Sequence, residues 1–382
     1  MAENNNNHTG MIQKLLKKIA DNPTSINAIA SIFAVLGGFV VGLIVMLFVN
    51  PGDALPGFFT ILGGPFRGGM TSLGNTIHFG VPIILTGLSV AFAFRTGLFN
   101  IGATGQLTMG AFAAVYIGVN WGFLGPFHWL VAILGAILAG AIWGAIPGIL
   151  KATRNVHEVV TSIMLNYVAM YMNTMLITQL IYNQQYARAQ TPLRTSFIPK
   201  LFMDNIFRGS QVNMAIFLVI GVVILLHIVL NKTTFGYELK SVGFNRDAAK
   251  YAGMSEKLNI IYSMIIAGGV AGMAGAMMYL VPGKHLEPVN HLIQEGFDGI
   301  AIALLGLSAP FGVLIAGLFY GGLQQGGHYL QLYDFMPEII DIIIAVIIYF
   351  SALSLFLRQF VAGFIKKRIK VDIELQEGSE IA

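Results

Sequence analysis

An all-α, polytopic membrane protein is what this sequence predicts, and three observations carry the prediction. Of 382 residues, 55% are apolar and only 10% charged, where a soluble domain carries about 25% charged residues. The apolar residues gather into runs of membrane-spanning length, parted by polar intervals. Lys and Arg collect in alternate intervals, the bias that marks cytoplasmic boundaries. Cysteine is absent, which excludes a disulfide framework and a thiolate metal site. The net charge of +4 carries no nucleic-acid signal, because the basic residues sit beside apolar runs.

Taken in order, residues 1–27 are polar, with an asparagine run at Asn4 to Asn7. Within them Met11 to Ala20 is a basic amphipathic stretch, and Lys14, Lys17 and Lys18 suit an interfacial helix. The run Ile29–Val49 follows without a small-residue cleavage site, so no cleavable signal peptide is expected. Further spans are expected near Ile77–Phe94, Leu98–Val119, Trp129–Leu150, Val159–Tyr182, Met214–Leu230, Leu258–Val281 and Pro337–Leu357. Two shorter runs, Gly296–Leu307 and Pro310–Leu323, intervene. A dozen helical residues reach about 18 Å against a hydrocarbon core of about 30 Å, so these two form a short tilted pair or a re-entrant hairpin. Ten segments are expected, with eight as the fallback. With the N-terminus inside, the inner intervals hold 16 of the 22 basic residues. The outer ones hold Arg67, Arg188, Arg194, Lys200, Arg208 and Lys284, so both termini are expected in the cytoplasm. The organisation is thus a cytoplasmic N-terminal segment (1–27), a transmembrane domain (28–357) and a cytoplasmic tail (358–382). An outer loop spans 183–212 and an inner loop 231–257.

Small residues recur at four-residue spacing: Ala136, Gly140, Gly144 and Gly148; Gly268 and Gly272, with Ala271 and Gly275; Gly317 and Gly321. Such stripes let helix backbones approach closely. The inner loop contains a short helix marked at both ends. Asn245 is placed as N-cap, Asp247 lies in the first turn, and Gly253 suits a left-handed residue after the helix. Ala248 and Ala249 between them offer a small apolar face. A two-turn helix needs a partner to be stable. It is either a capped surface helix or a docking knob for a soluble partner.

No GxxxxGK[ST] loop and no HExxH sequence occurs, so neither a P-loop nor that metalloprotease site is expected. Polar residues near membrane depth are the remaining candidates. Glu158 and Asn166 lie in NVHEVVTSIMLNY, about 80° apart around a helix. Asn166 is the best candidate for lining a polar path, while Glu158 either joins it or pairs with Arg154 at the interface. Asn100 and Gln106 open another apolar segment, and Asp298 lies toward the far end of the chain. Phe99-Asn100-Ile101-Gly102 is echoed by Phe297-Asp298-Gly299-Ile300, each opening a glycine-containing segment as in inverted-repeat transporters.

Four runs then resemble a known family: AFRTGLFNIGATGQLTMGAFAAV (Ala93 to Val115), NVHEVVTSIMLNYVAMY (Asn155 to Tyr171), TTFGYELKSVGFNRDAAKYAGM (Thr233 to Met254) and GFDGIAIALLG (Gly296 to Gly306). They are similar to the permease subunits of bacterial ABC importers in the branched-chain amino acid and ribose superfamily. The HEVVTSIMLNY run and the long outer loop resemble its nucleoside-importing branch, for which guanosine is the type substrate. The resemblance runs from about Ile77 to the last segment.

It implies a type II ABC importer-like permease fold in the bacterial cytoplasmic membrane. It also implies a second similar permease subunit, cytoplasmic ABC ATPase subunits and an extracytoplasmic substrate-binding lipoprotein of the basic membrane protein family. The chain itself would bind no cofactor, and ATP and Mg would sit on the ATPase subunits. The 233–254 run would hold the coupling helix, with Gly236, Glu238, Gly243, Asn245, Ala248, Ala249 and Gly253 in the coupling element. The basic outer loop would meet an acidic rim on the binding protein or simply be solvated. A sugar (ribose-type) permease and an ion-coupled secondary transporter using Glu158, Asp298 or Asp341 are the alternatives.

Overall fold

The computed structural model describes residues 23–353 and Gly363. The stretch Met11–Ala20 and, Gly363 apart, the basic tail 358–382 lie outside the described residues. The described residues form two compact units, 23–55 with 336–353, and Pro56–Phe335. In the first, α1 (Pro23–Val49) packs on α13 (Pro337–Ala352). Gly42 allows that approach, since a Cβ there would stand 2.9 Å from the Ile347 side chain.

The second unit runs α2 (Ala54–Arg67, whose first two residues precede it), α3 (Gly69–Arg95), α4 (Ala103–Asn120), α5 (His128–Arg154), α6 (Glu158–Leu176), α7 (Ala215–Lys232), α8 (Thr234–Phe244), α9 (Arg246–Tyr251), α10 (Glu256–Tyr279), α11 (Glu295–Leu305) and α12 (Pro310–Leu330). A two-stranded hairpin, β1 (Tyr182–Asn183) and β2 (Arg188–Ala189), follows a π-helical extension of α6. Helices α3, α4 and α10 form the centre, each with most of its length buried, whereas most of α5 is not. Lipid is the natural neighbour of the large apolar side chains that α5 leaves exposed, Leu134, Leu138 and Ile142.

On the opposite face of α5 the buried ladder Ala136, Gly140, Gly144 and Gly148 meets Gly268 and Gly272 of α10. A Cβ on Gly144 would stand 2.5 Å from the Met264 carbonyl oxygen, so the two backbones touch. Between helices in lipid the hydrophobic effect contributes little, and such close contact supplies the attraction instead. The third ladder acts likewise, with Gly321 of α12 set against Thr76 and Gly80 of α3.

Among the described residues six stretches are long and apolar enough to cross a membrane: Ile29–Val49, Gly69–Arg95, Gly122–Arg154, Glu158–Ile181, Ala215–Lys232 and Glu256–Tyr279. Three sequence expectations are corrected. The run expected to stop at Leu323 continues to Leu330 as the 21-residue α12, about 31 Å long. Its polar end is helical because Gly322 and Gly326 pack on α2 and Gln325 is buried beside Ser72. Helix α2 was not expected at all, because Pro56, Pro65 and Gly63–Gly64 mask its apolar character. The span placed at Leu98 begins as a helix only at Ala103, after a turn at Gly97 with φ +74°.

Candidate functional site

The polar residues nominated from sequence around α4 come together as a fastening. Asn100 and Gln106 exchange hydrogen bonds, Asn100 Nδ2 to Gln106 Oε1 at 2.8 Å and Gln106 Nε2 to Asn100 Oδ1 at 3.0 Å. Asn100 Nδ2 also donates to Ser89 Oγ, which donates to the Ala267 carbonyl of α10. Asn166 on α6 accepts from the Gly105 N–H at 2.9 Å and donates to the Ile101 carbonyl at 3.0 Å. Gly105 is the third residue of α4, so a neighbouring helix supplies the cap that α4's own Gly102 cannot. All three side chains are buried, and their hydrogen bonds hold the irregular 97–102 segment in place.

Glu158 and Asp298 lie apart from that cluster. Glu158 sits at the corner between α5 and α6 and pairs with Lys151 at 2.8 Å. The expected Arg154 partner is thereby replaced, because Lys151 is one turn earlier on α5 and shielded beside it. Asp298 accepts from the Tyr320 hydroxyl at 2.8 Å, and Gln324 Nε2 donates to that hydroxyl at 2.9 Å.

A cavity of about 380 Å³ opens elsewhere, within the usual range for small-molecule sites. Thr108 of α4, Met170 and Asn173 of α6, Met278 and Tyr279 of α10, the segment 285–294 other than Pro288 and Asn290, and Glu295 line it. The segment exists because α10 stops at Tyr279. Pro282 removes a helical donor, and Gly283 turns the chain at φ +85°. Its irregular backbone is tethered at two points. The Ala189 N–H of β2 donates to the Leu286 carbonyl at 2.9 Å, and Thr174 Oγ1 donates to the Val289 carbonyl at 3.2 Å. Helix α11 then starts against the start of α4, where a Cβ on Gly296 would lie 2.6 Å from the Thr104 nitrogen. The two echoed sequences thus lie at or just before the starts of helices that meet there.

Two polar atoms in the cavity wall, Asn173 Oδ1 and His285 Nδ1, are buried without a hydrogen-bond partner. Burial and the nearby Arg188 both hold the His285 pKa below its ordinary value, against Glu287, so the ring is neutral near pH 7. None of Asn100, Gln106, Glu158, Asn166 or Asp298 lines this cavity. Sequence reasoning missed Asn173 and His285. The available signal was the His, Glu and Pro content of 282–295 between two apolar runs.

At the other end of α10 the segment 233–255 is fully capped. The Gly236 N–H donates to Thr233 Oγ1, and the Ala248 N–H donates to Asn245 Oδ1, each at 3.0 Å. After α9, Gly253 (φ +82°) donates to the Lys250 carbonyl and Met254 to the Ala249 carbonyl, a Schellman pair. Buried Gly236 lets α8 fold back on the end of α7, and Gly243 lets it touch the Thr96–Gly97 turn. Asn259 Nδ2 of α10 donates to Glu238 at 3.3 Å, and Arg246 approaches Glu256 at 3.8 Å.

The alanine pair divides, which corrects the expectation of one shared outward face. Ala248 is exposed, whereas Ala249 packs with Ala93, Leu98, Val242, Ile260 and Met264 inside the chain's own core. Consecutive helical residues point 100° apart, and only one of the two can face outward. Phe244 and Tyr251, at 90% and 95% exposure, are the barest aromatic side chains there, ahead of Tyr237 at 63%. They were missed because each reads as an ordinary interfacial aromatic.

Comparison with known proteins gives a consistent picture. The model for the permease component of the branched-chain amino acid transport system matches residues 72–352. The chain is 40% identical over 338 residues to the guanosine ABC transporter permease protein NupP of Bacillus subtilis, covering 88% of this chain and 96% of that one. It is 33% identical to the nucleoside ABC transporter permease protein NupB of Lactococcus lactis, covering 85% and 90%. It is 31% identical to the glucose ABC transporter permease protein TsgB13 of Haloferax volcanii, covering 87% and 89%. No solved structure matches.

Proposed function

The chain belongs to the branched-chain amino acid transport system permease family, and from that premise we propose that it is the membrane-spanning subunit of an ATP-driven ABC importer of nucleosides. The observation that carries the reading is the 40% identity to a guanosine permease along nearly the whole of both chains. The relative named for glucose keeps a sugar as the second reading. The protein is a multi-pass component of the plasma membrane and does no covalent chemistry. ATP and Mg belong to separate ATPase subunits, and this chain binds no cofactor.

The finer topology is part of the proposal. Ten segments, α11 being the short one, place both termini and the segment 233–255 in the cytoplasm, and the cavity toward the outer face. The grouping of 16 of 22 basic residues supports this orientation. The transmembrane domain is taken as 28–357, with a cytoplasmic N-terminal segment before it and a cytoplasmic tail after it. A second permease subunit, two ATPases and a substrate-binding lipoprotein complete the assembly.

The segment 233–255 acts as the coupling element. Its caps, its ties to α10 through Glu238 and Arg246, and its seat on Ala249 make it a stiff extension of that helix. Phe244, Ala248 and Tyr251 supply the surface that seats in the ATPase. Large aromatics of this kind dominate interface energetics.

Uptake of labelled guanosine into vesicles carrying the whole complex tests the reading. Uptake that persists when the proton gradient is collapsed at constant ATP supports an ABC importer. Loss of uptake under that collapse, with ATP retained, points to an ion-coupled transporter and rejects it.

A further inference from the structure

The wall of the 380 Å³ cavity is rich in acceptors and poor in positive charge. Asn173, whose residue is 4% exposed, offers an Oδ1 with no partner. His285 Nδ1 is likewise unpartnered. Thr108 spends its hydroxyl hydrogen on the Thr104 carbonyl at 2.8 Å, which leaves its oxygen lone pairs to the cavity. Glu287 and Glu295 add two carboxyl groups, and no Lys or Arg lines the space. Arg188, close enough to influence His285, faces the Tyr186 ring at 5.0 Å in the hairpin. Apolar faces come from Met170, Met278 and Leu286.

A buried acceptor left open is costly, and a solute that donates to it removes the cost. Ribose hydroxyls and the amino and imino groups of a base are donors of this kind, and flat apolar walls accommodate a base. A phosphate would meet two carboxyl groups in a wall that offers it no lysine or arginine. Resting on the transport reading above, we propose that this cavity is a waystation that binds an unphosphorylated nucleoside through Asn173 and His285 and excludes the corresponding nucleotide.

The chain lacks cysteine, so a single Met170→Cys reporter can be placed in the wall without removing a polar group. The test is the rate of maleimide labelling of that reporter in the complete complex in nanodiscs. Gln184→Cys, on the exposed hairpin, is the control. Guanosine is expected to slow labelling at 170 and leave 184 unchanged, while guanosine monophosphate does neither. Adding Asn173→Leu should weaken guanosine protection about tenfold, the loss of one hydrogen bond to a buried group. Asn173→Ser, a smaller change, is the second variant should the leucine form fail to assemble. Glu287→Gln should let the monophosphate begin to protect.

If guanosine gives no protection, or Met170→Cys never reacts, while the complex imports guanosine, the waystation is overturned and the importer reading survives. Equal protection by the monophosphate overturns the exclusion. Full protection retained in both Asn173 variants overturns the assigned contact. A complex that imports no nucleoside at all defeats the importer reading itself.

Discussion

At one end of α10 the segment 233–255 satisfies its polar groups locally, through the Thr233 and Asn245 caps and the Gly253 turn. At the other end the segment 280–294 is held from outside, by Ala189 and Thr174, beside two buried polar atoms without partners. The first arrangement suits a part that must keep its shape under load. The second suits a part that awaits a ligand, because its best hydrogen bonds are still unmade. A single helix joins them, and its glycine seam with α5 leaves little slack for it to bend independently.

The largest effect should come from stripping the two most exposed aromatics at the capped end. Phe244→Ala with Tyr251→Ala is expected to leave insertion and helix content intact and to abolish both uptake and substrate-stimulated ATP hydrolysis. An interface anchor is worth about 2 kcal/mol or more. Copurification of the ATPase with the variant checks it, and unchanged capture would remove these side chains from the contact.

Next in size is Ala249→Trp. Because Ala249 sits in the chain's own core, the indole should overpack that core by about 1–3 kcal/mol. The expected readout is a lower melting temperature of the isolated chain in detergent. A normal melt with failed ATPase capture would show instead that residue 249 faces the partner.

Smaller again is Asn166→Leu. It removes the donor and acceptor that cap the start of α4, at about 1 kcal/mol for a lost helix cap. Thermal stability should fall while the apparent KM for uptake stays unchanged. A raised KM with unchanged stability would move Asn166 onto the substrate path.

Asn173→Leu sharpens the comparison from the opposite end, and its stability effect should be the smallest. Its Oδ1 has no partner to lose, so melting should stay the same or rise slightly. A marked loss of stability would mean that Asn173 is a fastening like Asn166, and the contrast between the two ends would fail.

Much of this was determined by the sequence alone. Spans of apolar residues follow from composition, and the helix Arg246–Tyr251 follows from Asn245 and Gly253, because caps act on neighbours three or four residues away. The small-residue ladders announced close packing, and four long motifs announced the family. The partners of those ladders, the inward turn of Ala249, the full length of α12 and the existence of α2 were decided only by tertiary structure. So was the cavity, whose wall joins Thr108, Asn173 and His285 from three separate stretches of the chain. Local patterning fixes which residues form a helix and which face is apolar. Whether a buried asparagine closes a hydrogen bond, as Asn166 does, or leaves one open, as Asn173 does, depends on which backbone group a distant helix brings beside it.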